Sequence, residues 1–137
     1  MPPTLYDDQG RLVSTGDEIG RGGEAVILDV RGKGDAVAKI YHKPLDAARG
    51  AKLKVMAGLA KPELLRIAAW PTGILYARPG SEPLGILMPK VVGHQQIHRV
   101  YAPRDRLVYF PKTDWSFLIH VSMNCAAACL LYTSRCV

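Results

Sequence analysis

The chain has 137 residues, of which 48% are hydrophobic and 22% charged, a composition that is typical of a globular domain and excludes a disordered chain. Its 18 basic and 12 acidic residues give a formal net charge of +6, which favours anionic ligands such as nucleotides. The basic residues form no long Lys/Arg block, so the charge only weakly indicates nucleic-acid binding.

The two ends of the chain carry no export or disulfide signal. No basic segment followed by an apolar one begins the sequence, so we expect no secretory signal and a cytoplasmic location. The three cysteines, Cys125, Cys129 and Cys136, are an odd number confined to one short segment. Such a set does not form a disulfide framework, so we expect reduced thiols.

β-Strands dominate the first part of the sequence. Residues 6–13 form a short extended N-terminal edge, and the first strand lies near Thr15 to Gly20. The β-rich runs from Val26 to Val30 and from Ala36 to Tyr41 predict two further strands. The glycines in GRGGEA therefore join two strands of a hairpin, whereas the glycines of a dinucleotide-binding fold open a helix.

Gly20, Gly22, Gly23 and Lys39 form a candidate phosphate cradle. Because glycine lacks a Cβ, its backbone can take positive φ and come close enough to a ligand for N–H groups to point at phosphate oxygens. Lys39, on the following strand, would supply a compact positive charge. The alternative is an ordinary tight hairpin with a solvated lysine, since a glycine pattern alone is a weak signal.

The rest of the chain alternates helix and strand before it becomes helical. Leu45 to Leu59 has apolar residues at helical spacing, and residues 74–77 and 84–88 predict a fourth and a fifth strand. Residues 101–106 are expected to form a loop, and a helix is expected from about Trp115 to Leu131. Although residues 115–134 carry no charged side chain, polar residues among them favour a buried helix of a larger domain over a membrane span.

The segments GRGGEAVI and AVAK resemble the G-x-G-x-x-G-x-V and V-A-I-K motifs of the protein kinase small lobe. In this resemblance Gly20 and Gly22 take the first two glycine positions, and Lys39 takes the lysine that pairs with the α- and β-phosphates. The resemblance implies an α+β fold: a five-stranded antiparallel sheet plus one helix, followed by a hinge and the first helices of an incomplete large lobe. It covers about Leu12 to Leu131.

The segment Met88 to Gly93 resembles a kinase hinge, where adenine bonds to a backbone carbonyl and to an N–H two residues later. Pro89 keeps its carbonyl and would fill the first role, Val91 would fill the second, and Met88 would line the back of the pocket. The alternative is ordinary strand core. The implied nucleotide-binding residues are Ile19, Gly20, Arg21, Gly22, Gly23, Glu24, Ala25, Ile27, Val37, Lys39, Met88, Pro89, Val91 and Gln95, with Lys39 also catalytic.

Two departures from the kinase pattern stand out. Arg49 or Gly50 occupies the place of the helix glutamate that pairs with the strand lysine, and the acids nearby are Asp46 and Glu63. The H-R-D-x-x-x-x-N and D-F-G motifs are absent, which suggests a truncated gene. The expected division is residues 1–88 small lobe, 89–93 hinge, 94–131 start of the large lobe and 132–137 a non-native tail.

The resemblance implies that the intact product transfers the γ-phosphoryl group of ATP to a protein hydroxyl, with Mg²⁺ ligands in the missing half. The protein substrate is not indicated, and this chain alone is expected to be inactive. Alternatives are a pseudokinase or nucleotide-binding interaction module, and an unrelated β-rich structural domain.

Segments such as LMPKVVG and YFPKTDW are similar to a bacterial branch of serine/threonine kinase-like proteins. Some of those proteins carry a helix-hairpin-helix DNA-binding segment that this chain lacks. A link to DNA is implied by that resemblance alone.

Overall fold

The computed structural model describes residues 3–136, and the side chains of residues 3–130. The chain forms two units that divide after Lys90. The first contains strands β1 (Leu5–Tyr6), β2 (Leu12–Val13), β3 (Thr15–Arg21), β4 (Ala25–Val30), β5 (Ala36–Tyr41), β6 (Gly73–Tyr76) and β7 (Pro83–Pro89), with helices α1 (Ala47–Gly58) and α2 (Pro62–Leu65) between β5 and β6. The second contains helices α3 (His98–Tyr101), α4 (Pro103–Tyr109) and α5 (Trp115–Cys136).

The first unit is built on one antiparallel sheet with the strand order β2-β1-β6-β7-β5-β4-β3. The α+β, kinase-like small-lobe fold expected from the sequence is confirmed, but its five-strand count was wrong. The segment expected as an N-terminal edge forms a hairpin whose strand β1 pairs with β6, which gives seven strands in the described residues. Burial of Leu5, 0% exposed, and Val13, 8% exposed, explains why the hairpin docks.

The two faces of the sheet bury different groups of side chains. Helix α1 packs on the first, here called the helix face, and the N-terminal hairpin contributes to the second, the hairpin face. The cluster on the helix face contains Ala25, Tyr41, Leu45, Leu53, Met56, Leu64, Trp70, Ile74 and Ile86. The cluster on the hairpin face contains Leu5, Val13, Leu28, Val30, Ala38, Ile40, Leu75 and Leu87.

Helix α1 begins after Asp46, whose carboxylate accepts a hydrogen bond from the backbone N–H of Arg49 at 2.7 Å. This N-cap satisfies a backbone donor that the helix leaves unpaired, so the helix starts two residues later than expected, at Ala47. Leu53 and Met56 are its buried apolar residues, and the Met56 carbonyl accepts a 2.6 Å hydrogen bond from Trp70 Nε1. The helix is thereby fixed against the helix face.

In the second unit, residues 103–109 form helix α4, so the expected loop was wrong. Pro103 lies in its first turn, where the N–H that proline lacks would have had no helical partner. Helix α5 starts at Trp115 as expected, and Asp114 accepts from the N–H of Phe117 at 3.0 Å. It continues to Cys136, past the expected end, and Val137 of the suggested tail lies outside the described residues.

Several apolar side chains of α5 are exposed in this chain, and the expected burial of this helix in a larger domain stays a prediction. Trp115 is 78% exposed and Met123 62% exposed. In the described part of the chain, no helix is both long and apolar enough to cross a membrane. Among the described residues neither Cys125 nor Cys129 forms a disulfide bond, and the side chain of Cys136 lies outside them.

Candidate functional site

Strand register places predicted site residues in two adjacent rows across the sheet. Gly20 on β3, Ile27 on β4 and Lys39 on β5 are consecutive partners. Val37 pairs with Met88 of β7 in the next row. Because side chains two apart on a strand share a face, and paired residues do as well, these rows lie on the same side of the sheet.

That side is the helix face, since Lys39 pairs with Ile86, a member of its buried cluster. Ile27 and Lys39 are half-buried, Met88 packs against the cluster, and Val37 is buried at 3% exposed. The fold therefore brings together a cation and three apolar side chains beside helix α1. It does this with residues that lie far apart in the sequence.

Ile19 and Arg21 are predicted site residues that lie outside these two rows. Ile19 falls at a register irregularity between Glu18 and Gly20 and is 49% exposed. The Nε of Arg21 donates to a Glu18 oxygen at 2.9 Å, and this hydrogen bond, with the positive charge of Arg21, lowers the pKa of Glu18. The guanidinium of Arg21 is thus engaged by a carboxylate of its own strand.

The loop between β3 and β4 is closed by hydrogen bonds to its own backbone and to His42. The N–H of Gly22 donates to the carbonyl of Ala25 at 2.9 Å. The ring Nε2 of His42 lies 2.9 Å from the Gly22 carbonyl, and the backbone N–H of His42 donates to the Glu24 carbonyl at 2.9 Å. Sequence reasoning missed His42, although its place just after a strand paired with β4 was a usable signal.

The glycines of this loop do not adopt the positive φ that their sequence suggested. Positive φ occurs at Gly10, Gly32, Gly80 and Gly93, and neither Gly20 of β3 nor the loop glycines Gly22 and Gly23 are among them. A Cβ added at Gly22 would be no closer than 4.0 Å to a neighbouring atom, and one at Gly23 would meet nothing within 4 Å. The fold alone therefore does not require glycine at these two exposed positions.

Lys39 has an aromatic neighbour instead of a carboxylate. Its Nζ lies 5.2 Å from the centre of the Tyr41 ring, a cation–π distance. Within the described residues, no carboxylate oxygen lies within the 4.0 Å ion-pair limit of this Nζ. Neither Asp46, which caps helix α1, nor Glu63 on α2 replaces the helix glutamate.

Arg49 of helix α1 lies on the same aromatic ring. Its Cζ is 5.0 Å from the centre of Tyr41, and its guanidinium donates to the Glu24 carboxylate of the glycine loop at 3.2 Å. Burial raises the pKa of Tyr41, and the positive charge of Arg49 opposes this effect. Tyr41 therefore stays a neutral ring within cation–π distance of both Lys39 and Arg49, and sequence reasoning did not foresee this cluster.

Met88 and Pro89 end strand β7, where Pro89 pairs with Ala36. The next residue, Lys90, fixes this end: its Nζ lies 2.9 Å from Asp29 Oδ1, and its N–H donates to the Asp35 carbonyl at 2.8 Å. Val91 and Gln95 belong to the second unit. There Val91 is 59% exposed, and the amide oxygen of Gln95 accepts a hydrogen bond from Arg99.

Comparison with known proteins points to the kinase class. The chain is similar to "Protein kinase YegI" of Escherichia coli O157:H7, with 41% identity over 128 residues that cover 93% of this chain. It is also similar to "Protein kinase YegI" of Escherichia coli strain K12, with 39% identity over 124 residues that cover 90% of this chain. The chain spans about a fifth of the length of these curated relatives. No family model matches it. These relatives support a kinase-like protein.

Proposed function

We propose that this chain binds ATP on the helix face and forms the nucleotide-binding part of a serine/threonine protein kinase-like protein. The observation that carries the proposal is the placement of Lys39 beside Ile27, Val37 and Met88, with no carboxylate neutralising it among the described residues. A half-buried lysine without an acidic partner is a site for an external anion. Its apolar neighbours suit a flat heterocycle.

In this proposal the adenine packs against Ile27 and Met88 with Val37 beneath it, and the phosphates extend toward Lys39 and the β3–β4 loop. Backbone N–H groups of the loop donate to phosphate oxygens, and Lys39 adds its charge. The carbonyl of Pro89 would bond the adenine edge, as the resemblance implies. Residues 1–88, 89–93 and 94–131 would then be small lobe, hinge and start of the large lobe.

The unstrained glycines support close approach of a ligand. Since the fold leaves room for a Cβ at Gly22 and Gly23 and neither φ is positive, their small size serves no packing purpose in the chain itself. A phosphate lying against the loop backbone would use the space that a side chain would fill. The cradle therefore fits the phosphates of a nucleotide.

The wider reaction is the transfer of the γ-phosphoryl group of ATP to a protein hydroxyl by a longer protein that contains this sequence. ATP supplies the phosphoryl group, and this chain's residues bind and orient it. Among the described residues, no cluster of three or more His, Cys, Asp or Glu side chains could hold a metal ion. The role that we assign to this chain is to bind the phosphates of ATP. The Mg²⁺ ligands, the cytoplasmic location and any link to DNA stay predictions.

A pseudokinase is the second candidate, and one observation favours it. In a catalytic kinase the strand lysine pairs with a helix glutamate, whereas here the helix carries Arg49, which lies beside the same Tyr41 ring as Lys39. The two candidates differ in phosphoryl transfer by the longer protein. Incorporation of phosphate from labelled ATP into a protein substrate, lost on Lys39→Ala, supports the enzyme, and ATP binding without transfer supports the pseudokinase.

Thermal unfolding of the chain with and without ATP tests the binding proposal. ATP at 100 times its Kd adds about 2.7 kcal/mol to the stability of a protein that binds it, enough to raise Tm by several degrees. We expect this rise for the wild type, a smaller rise for Lys39→Ala, and the full rise for Lys33→Ala, which removes an exposed lysine from the β4–β5 turn. No rise in a cooperatively unfolding wild type would contradict the proposal.

A further inference from the structure

Arg49 connects three parts of the candidate site. It lies in the first turn of helix α1, it donates to Glu24 of the glycine loop at 3.2 Å, and it lies 5.0 Å from the centre of the Tyr41 ring. Lys39 is 5.2 Å from the same ring. The guanidinium and the ammonium are therefore no farther apart than these two distances combined, a span that a polyphosphate bridges.

The bond between Arg49 and Glu24 is easily exchanged. Their side chains are 47% and 72% exposed, and a single N–O contact joins them. Exposed ion pairs contribute about 0–1 kcal/mol to stability, because water and salt compete for both partners. A phosphate group, which carries more negative charge than a carboxylate and accepts bidentate bonds from arginine, would displace Glu24 at little cost.

Tyr41 is the common neighbour of the two cations. Its ring is 8% exposed and belongs to the buried cluster of the helix face, so it does not move with the solvent-exposed side chains around it. Both cations lie within cation–π distance of that ring. Two positive charges are thus held beside the loop whose backbone is proposed to take the phosphates.

We propose that Arg49 is a second phosphate-binding residue, held by Glu24 until the nucleotide phosphates displace that carboxylate. The inference rests on the proposed function and deepens it: two cations, Lys39 from the strand and Arg49 from the helix, face the phosphates. Glu24 acts as a competitor for Arg49. The preferred ligand is consequently a nucleoside di- or triphosphate, since a nucleoside offers nothing to either cation.

A purely structural role for the ion pair gives the opposite pattern of results. If Arg49 and Glu24 only held the loop against the helix, loss of either partner would weaken ATP binding in the same direction. If Glu24 competes with phosphate, its neutralisation frees Arg49 and strengthens binding. The sign of the Glu24 effect therefore separates the two roles.

The test is calorimetric titration of the whole chain with ATP and with adenosine, for the wild type and for Arg49→Gln, Glu24→Gln and Arg66→Gln. Arg66 is an exposed arginine at the end of helix α2 and controls for net charge. We expect Arg49→Gln to weaken ATP binding about tenfold and Glu24→Gln to strengthen it several-fold, with Arg66→Gln changing it by less than about twofold. Adenosine binding should be unchanged in all three.

Thermal unfolding without nucleotide controls for folding, and each variant should keep its Tm within about 4 °C, because the pair is exposed. Weakening of ATP binding by both Arg49→Gln and Glu24→Gln would overturn the inference in favour of a structural tether. If Arg49→Gln binds ATP as tightly as the wild type does, the inference about Arg49 is wrong and the proposed function stands. A folded wild type that binds no ATP would overturn both.

Discussion

The hydroxyl of Tyr76 donates a 2.9 Å hydrogen bond to the carboxylate of Asp8 and joins the N-terminal hairpin to strand β6. The other oxygen of Asp8 accepts from the backbone N–H of Ile74 at 3.2 Å. One side chain thus satisfies both a phenol and a backbone donor of β6. The hairpin is thereby tied to the sheet by polar contacts as well as by its buried leucine.

This bond predicts a loss of stability in alkali. Burial, then the hydrogen bond and charge of Asp8, raise the pKa of Tyr76 to about 12, above the value of about 10 for an unfolded chain. Because the folded state favours the neutral phenol, the contribution of Tyr76 to the free energy of unfolding is complete below pH 10 and is lost as the pH rises toward 12. Urea unfolding between pH 8 and 12 should show this loss, reduced in Tyr76→Phe. Equal pH slopes for both proteins would contradict the assignment.

Gly85 should be intolerant of substitution. A Cβ at this position would collide with the carbonyl oxygen of Lys39 and lie 2.8 Å from Ile40 Cδ1. Because the carbonyl belongs to a paired strand and cannot move away, Gly85→Ala should cost at least about 1–3 kcal/mol of unfolding free energy in urea. Gly34→Ala is the control, since Gly34 has open space and no positive φ. Equal stability of the two variants would refute the close packing of β5 and β7.

Gly22→Ala and Gly23→Ala should separate binding from folding. The fold has space for both methyl groups, so the unfolding free energy should change by no more than about 1 kcal/mol. The same methyl groups would occupy the space proposed for phosphate oxygens, so ATP affinity should fall while adenosine affinity is kept. Calorimetry and urea unfolding on the same samples measure both quantities. Unchanged ATP affinity in both variants would remove the loop from the site.

The strands around the glycine loop were predictable because their signals are local. β-Rich runs and turn residues between Thr15 and Tyr41 indicate the β3–β4–β5 meander without reference to the rest of the chain. The pairing of β1 with β6 was not predictable in this way. It depends on contacts such as Asp8 with Tyr76, which are 68 residues apart and leave no periodic trace in either segment.

In the candidate site, too, the placement of residues on neighbouring strands was predictable from the sequence, whereas the long-range contact was not. Lys39 and its apolar neighbours follow from motif and strand alternation, and the register brings them to one face. The pairing of Arg49 with Glu24 spans 25 residues and depends on how helix α1 docks, which the Asp46 cap and the packing of Met56 decide. The sequence indicated the missing helix glutamate and left open what the arginine at that place contacts.

Whether Lys39 receives nucleotide phosphates can be measured by calorimetric titration of the wild type, Lys39→Ala and Lys33→Ala with ATP and with adenosine. We expect the wild type to bind ATP more tightly than adenosine and Lys39→Ala to remove most of this difference. Adenosine affinity should stay the same, and Lys33→Ala should behave as the wild type. Equal affinity of the folded wild type for ATP and adenosine, or an ATP preference that survives Lys39→Ala, would contradict this role of Lys39.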